Sequence, residues 1–131
     1  MYKYSKSSLA KLEQAHPLLK LLFVRAIEFY DIKILETVRD EETQNGYYAQ
    51  GVSQVKYPHG KHNKNPSLAV DFAVYNKGVS FNKDDMLLVA GFIEGLARSM
   101  GINVKLGARW NEPWVSLNKF QDIGHIELTL D

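Results

Sequence analysis

The sequence predicts an α+β domain with a small antiparallel sheet, because helical periods come first and strand periods are interleaved with a further helix later. Three patterns carry this. From Pro17 to Tyr30, the residues Leu18, Leu19, Leu22, Phe23, Ala26 and Tyr30 share one broad helical face. From Leu68 to Tyr75, the apolar Leu68, Val70, Phe72 and Val74 alternate with Ala69, Asp71, Ala73 and Tyr75, the period of a half-buried strand. Near the C-terminal end Ile126, Leu128 and Leu130 alternate with His125, Glu127 and Thr129. Asp71 on one strand, and His125 with Glu127 on the other, therefore lie on the face turned away from the core.

Taken in order, a first helix from about Ser7 to Ala15 follows capping serines, and a second starts at Pro17, where proline suits the first turn. The two form a helical hairpin. Ile32 to Val38 reads as a short strand, after which Asp40 caps a helix whose first turn carries Glu41 and Glu42. Arg39 sits at that junction, and Asn45-Gly46 signals a turn soon afterwards. Gly51 to Pro66 reads as a loop marked by Tyr57-Pro58 and Asn65-Pro66, long enough to serve function and not mere connection. Asn82, with Asp85 three positions on, begins a helix that buries Met86, Ala90, Ile93, Ala97 and Met100 and ends at Gly101, its glycines 91 and 95 allowing close packing. Val104 to Leu106 is an edge strand, and the loop GARWNEPW precedes the closing strand.

The 131 residues fit one domain with a single core, 1–131, and no internal repeat or linker divides it. A formal charge of +1 excludes a broad nucleic-acid footprint or a polybasic membrane anchor. The N-terminal stretch has no apolar run followed by a cleavage site, and Leu18 to Val24, interrupted by Lys20, is too short to cross a bilayer. With no cysteine, a metal must be held by nitrogen and oxygen, and the chain fits cytoplasmic synthesis.

His62, in the loop ahead of the Asp71 strand, joins Asp71 and His125 as a candidate ligand set. A hydrolytic zinc centre takes three protein ligands and leaves the fourth position to water, a demand that two histidines and one aspartate meet. Each residue alone has a plainer explanation. His62 fits a solvated loop histidine, Asp71 a surface charge, His125 a hydrogen-bonded strand residue, and Arg39 a surface ion pair with neighbouring glutamates. Two polar strand faces and a loop just upstream tip the balance together. The iron-binding triad of two histidines and a carboxylate, using His125 and Glu127, is set aside because it needs a jelly-roll barrel that this order of helices does not provide.

The run HNKNPSLAVD, with His62 and Asp71 at its ends, and DIGHIE, with Asp122 three positions before His125, closely resemble the zinc D-Ala-D-Ala-type peptidases of phages. Within that group the chain is most similar to endolysins that act as L-alanyl-D-glutamate endopeptidases on peptidoglycan. The resemblance spans nearly the whole chain, through SLAKLEQAHPLL, VRDEETQNGYYAQGVS, GARWN and GHIEL. It implies the fold shared by those peptidases and the Hedgehog signalling domain, a small antiparallel sheet flanked by helices with zinc in a groove. It also implies His62, Asp71 and His125 as zinc ligands, Asp122 as general base, Arg39 as the group that polarises the scissile carbonyl or holds its oxyanion, and Gln44 as a support for the metal shell or the substrate. Glu127, beside His125, is either a rival base or a hydrogen-bond acceptor for a ligand histidine. Many relatives space the histidine and aspartate seven apart, where here they are nine apart around Pro66 and Ser67, as in a phage-borne subgroup. Relatives often carry serine two positions before the histidine, where this chain has Gly60.

The expected mechanism is metal-assisted peptide hydrolysis, with zinc polarising a water, Asp122 taking its proton and later protonating the leaving amine, and Arg39 steadying the oxyanion. Tyr57, Trp110 and Trp114 are candidate groove walls, with rim or core packing as the alternative; His16 and His59 are left out of the site. A D-alanyl-D-alanine carboxypeptidase or dipeptidase is the nearest alternative, and an inactive metal- or wall-binding module the alternative of another class. The resemblance further implies a monomer that waits in the host cytoplasm for a membrane lesion and then acts in the periplasm or cell wall.

Overall fold

In the computed structural model, which describes residues 1–53, 55–109, 114 and 122–130, two short helices lead into the sheet. Helix α1 (Lys6–Leu12) is capped by Ser5, whose hydroxyl accepts from the Ser8 N–H at 3.1 Å. It stops at Leu12, short of the expected Ala15, because Ala15 leaves the helical path to form an isolated bridge with Ser67. Helix α2 (Pro17–Ala26) starts at its proline, and His16 is its cap: the ring Nδ1 accepts from the Leu18 N–H at 3.1 Å.

Strand β1 (Ile32–Glu36) is followed by helix α3 (Glu41–Ala49), capped by Asp40. The helix runs straight through Asn45-Gly46, so the expected turn is absent there; Asn45 instead accepts from the Tyr57 N–H through its side chain at 3.2 Å. After a loop come β2 (Ala69–Tyr75), the short β3 (Val79–Ser80), helix α4 (Lys83–Ser99), β4 (Val104–Leu106) and β5 (His125–Leu128). The sheet order is β1-β2-β5-β4 with antiparallel pairs, and β3 pairs with the end of β2. Val104 to Leu106 is thus the edge strand that its position predicted.

One sheet face is apolar because alternation places Ile32, Ile34, Val70, Phe72, Val74, Ile126 and Leu128 there. Leu19, Leu22, Phe23 and Ala26 from α2 and Met86, Val89, Ala90, Ile93 and Ala97 from α4 cover it. Each large side chain so buried contributes roughly 1.5–3 kcal/mol, enough to fix the register of the strands that carry the polar face. At the margins the expected pattern gives way. Leu130 is exposed, Met100 caps α4 and is exposed, and a Cβ added at Gly91 or Gly95 would meet nothing, so these glycines serve no close packing. Asn82 caps α4 through the Asp84 and Asp85 N–H groups, but the Asp85 carboxylate accepts from Asn76 and Ser80 and closes no capping box.

Candidate active site

The opposite sheet face carries the polar residues abreast. Asp71 on β2 pairs across to His125 on β5 and to Glu36 on β1, and Glu127 pairs to Lys105 on β4. A bulge between Ile34 and Glu36 makes the β1 contact possible by leaving Leu35 as the extra residue, so that Glu36 and not Leu35 stands opposite Asp71.

His62 arrives from outside the sheet. Its loop, irregular as its Asn, Lys and Pro content predicts, tightens into a single 3-10 turn at Lys61–Asn63 that buries the ring to 3% exposure. Two backbone ties hold the turn, the Arg39 N–H donating to the His62 carbonyl at 2.7 Å and the Asn63 side chain donating to the Arg39 carbonyl at 3.1 Å. The Asn63 Oδ1 also accepts from the Gly60 N–H, and a Cβ on Gly60 would lie 2.7 Å from that oxygen. Asparagine therefore fills the space that a side chain at position 60 would need.

The three candidate side chains converge. His62, Asp71 and His125 each offer an atom within 4.8 Å of the others, and the two rings meet edge to face at 5.1 Å. His62 Nδ1 lies 2.6 Å from the Thr37 carbonyl, which can only accept, so Nδ1 carries the proton and Nε2 presents a lone pair. That Nε2 is buried without a hydrogen-bond partner among the described residues, yet stands 3.2 Å from Asp71 Oδ1. A lone pair and a carboxylate oxygen at that distance repel unless a cation or an extra proton lies between them. The donor set of two imidazoles and one carboxylate suits a divalent transition metal.

His125 is similarly framed, its Nδ1 3.1 Å from Asp71 Oδ1 and its Nε2 3.0 Å from Glu127 Oε1. Burial opposes its charged form, but the hydrogen bonds to Asp71 and Glu127 outweigh burial and push its pKa up to about 9. Burial likewise pushes the Asp71 carboxyl up, but the hydrogen bond from His125 and the histidine environment around it reverse this and hold it well below the usual range. Glu127 follows the same pattern, burial opposing and His125, Lys61 and Lys105 lowering it.

Asp122 precedes β5 across the Ile123-Gly124 turn, its Oδ2 3.8 Å from His125 Nδ1 and its side chain 45% exposed. Burial first, and then the Asp71 charge, push its pKa upward. Glycine is needed on both sides of this turn. A Cβ at Gly107 would fall 2.0 Å from the Asp122 carbonyl oxygen, and one at Gly124 would fall 2.4 Å from that of Phe72. Gly107 lies in the GARWN motif, but only the fold reveals what its missing side chain permits.

Arg39 is no loose surface ion pair. Its Nε donates to Glu36 at 2.6 Å, its Nη1 to Gln44 Oε1 at 2.8 Å, and its Nη2 reaches Asp71 Oδ2 at 3.4 Å, while the guanidinium lies 4.8 Å over the Tyr47 ring. Gln44, buried, donates its own amide to Ser53 Oγ and the Val55 carbonyl, tying the loop to Arg39. The sequence gives no sign of two supports. Thr37 bonds His62 through its carbonyl, and Ser67 donates to that same carbonyl at 2.8 Å. Tyr57 and Trp114 are exposed, Trp110 lies outside the described residues, and His16 serves as a helix cap.

The model of the family described as phage L-alanyl-D-glutamate peptidase matches residues 1–129. Among solved structures, the crystal structure of Serratia marcescens L-Ala D-Glu endopeptidase ChiX is similar with a TM-score of 0.74 at 23% identity, covering 97% of this chain and 90% of that one. That likeness is one of fold. A comparison with curated proteins returns no match.

Proposed function

The chain belongs to the phage L-alanyl-D-glutamate peptidase family, and from that premise we propose that it cleaves the peptidoglycan stem peptide as a zinc-dependent endopeptidase, a single catalytic domain over residues 1–131. Its ligands are His62, Asp71 and His125. The observation that carries the reading is the buried, unpartnered Nε2 of His62 facing a carboxylate oxygen within reach of His125, an arrangement that a bound cation relieves.

Zinc bound there supplies a Lewis acid that acidifies water and polarises the scissile carbonyl. The remaining chemistry belongs to the protein. Asp122, with its raised pKa and half-buried carboxylate, takes the proton of the attacking water and returns it to the leaving amine. Arg39, aimed by Glu36 and Gln44, keeps Asp71 in place and directs its remaining N–H groups to the oxyanion. Glu127 accepts from His125 Nε2, which leaves Nδ1 of the same ring facing Asp71, where His125 would help hold the metal. The protein acts as a monomer made in the host cytoplasm and reaches the cell wall through a membrane lesion. The family's wall substrate and a cysteine-free chain support that route. Among the described residues no helix is long and apolar enough to cross a membrane.

Mass spectrometry of purified peptidoglycan after digestion, with and without chelator, tests the reading. Release of stem peptides beginning at D-glutamate, abolished by chelator and restored by zinc, is expected. Loss of a terminal D-alanine alone would make it a carboxypeptidase, and no release would leave a binding module.

A further inference from the structure

Beside Asp71 and Asp122 the groove deepens into a recess of about 290 Å³ whose other walls include Leu35, Phe81, Met86 and Ile123. We propose that this recess is the subsite for the L-alanyl side of the scissile bond and sets the preference for a small apolar side chain there; the inference rests on the endopeptidase reading above.

Three features support it. First, the recess is built deliberately on the β1 side. Leu35 is the extra residue of the β-bulge, and bulges re-aim a side chain next to a site while the strand keeps its pairing. Second, Phe81 is 66% exposed at the recess although it is a large aromatic, and its backbone is fixed between β3 and the cap of α4, where the Asn82 N–H donates to Ser80 Oγ at 3.1 Å. An exposed aromatic on a backbone fixed at both sides, beside a reaction centre, is placed to cover an apolar group when substrate arrives. Third, the chemistry of the two substrate halves differs. L-alanine offers a methyl group, which Leu35, Phe81, Met86 and Ile123 can shield; D-glutamate carries a free carboxylate, for which those four side chains provide no donor or cation. The described cations near the site lie elsewhere, Arg39 against Glu36 and Asp71, and Lys61 and Lys105 around Glu127. The acyl half therefore lies toward Phe81 and the D-glutamyl half toward β5 and β4. The volume is ample for an alanyl residue and an acyl group preceding it.

The test uses zinc-loaded full-length protein and synthetic acetyl-L-Ala-D-Glu-L-Lys amide, with two analogues: glycine in place of L-alanine, and the free D-glutamyl carboxylate replaced by carboxamide. Missing one methyl from an apolar pocket costs roughly 10–200-fold in kcat/KM, so the wild type should prefer L-alanine over glycine by about tenfold or more. Phe81→Ala, at an exposed site, and Leu35→Ala should each retain zinc and bring that ratio down to about threefold or less, leaving the carboxylate-to-carboxamide ratio unchanged. An undiminished alanine preference in both variants would overturn the assignment, as would a change confined to the carboxylate ratio. A wild type that cleaves none of the peptides while cleaving a terminal D-alanine would instead overturn the endopeptidase reading, and this subsite with it.

Discussion

Removing His62 as a ligand should uncouple the protein's heat stability from zinc. In the wild type, zinc at 100 times its dissociation constant stabilises the folded state by about 2.7 kcal/mol if the unfolded chain does not bind it. For a chain of this length a kilocalorie corresponds to roughly 4 °C in Tm, so the shift between chelated and zinc-loaded protein should be about 10 °C. Replacing a residue that merely orients a ligand costs about 10–100-fold in metal affinity, and removing the ligand atom itself costs at least the upper figure. His62→Ala at the same zinc concentration then sits near its new dissociation constant, where the stabilisation is about 0.4 kcal/mol and the shift about 2 °C. The variant also loses the bond from Nδ1 to the Thr37 carbonyl and leaves a cavity, but those losses are present with and without zinc and cancel in the difference. Scanning calorimetry of both proteins, with chelator and with zinc, measures it. An equal zinc-dependent shift in His62→Ala and wild type would remove His62 from the metal shell and with it the explanation of its buried Nε2.

Asp122→Asn should keep fold and zinc content while losing roughly 10²–10⁴ in rate, the scale of a removed general base; Glu127→Gln should weaken zinc binding instead, and single-turnover rates on metal-loaded variants would expose the reverse assignment. Arg39→Lys cannot reproduce the contacts to Glu36, Gln44 and Asp71 together, so turnover should fall about tenfold or more, the scale of one charge-assisted hydrogen bond, with zinc retained. In metal-free protein His125 is protonated up to a pKa of about 9 against 6.5 for the unfolded ring, so its stabilisation is complete below pH 6.5 and fades as pH rises through 9. Zinc must displace that proton, so titration should show zinc affinity rising over the window in which metal-free Tm falls. Gly107→Ala would push a Cβ into the Asp122 carbonyl and against His125, so a loss of about 1–3 kcal/mol in urea unfolding, together with lost activity, is expected.

What the sequence made legible was whatever rests on a period. Alternation in Leu68–Tyr75 and in Ile126–Leu128 puts Asp71, His125 and Glu127 on the polar face, and the structure has them there, because a one-residue slip would turn Phe72 and Ile126 to water. What has no period was hidden. Helix α3 passes through Asn45-Gly46 because Gln44, buried one position earlier, is tied to Arg39 and the loop, a tertiary anchor that outweighs a local turn preference. The proton position on His62 depends on Thr37, distant in sequence and unremarkable there. Gly107 and Gly124 are close approaches between segments, and such contacts exist only after folding. Gly91 and Gly95 show the converse error, since spacing on a helix suggested contact where the structure has open space.

Charge gives the last reason to read the centre as one for a divalent ion. Glu36 is matched by Arg39, and Glu127, whose pKa the His125 hydrogen bond lowers first, also has Lys61 and Lys105 nearby. Asp71 and Asp122 remain. Arg39 reaches Asp71 at 3.4 Å, and Asp122, whose pKa burial raises first, is pushed further upward by the Asp71 charge beside it. In the metal-free protein a proton on His125, held to about 9 mainly by its hydrogen bonds to Asp71 and Glu127, adds one positive charge beside the pair. Two neutral imidazoles would add donors and no charge, so one divalent cation held by His62, His125 and Asp71 would offset the pair of aspartates. Such a cation would also offset the Asp71 charge that opposes ionisation of Asp122, as the base role proposed for it requires.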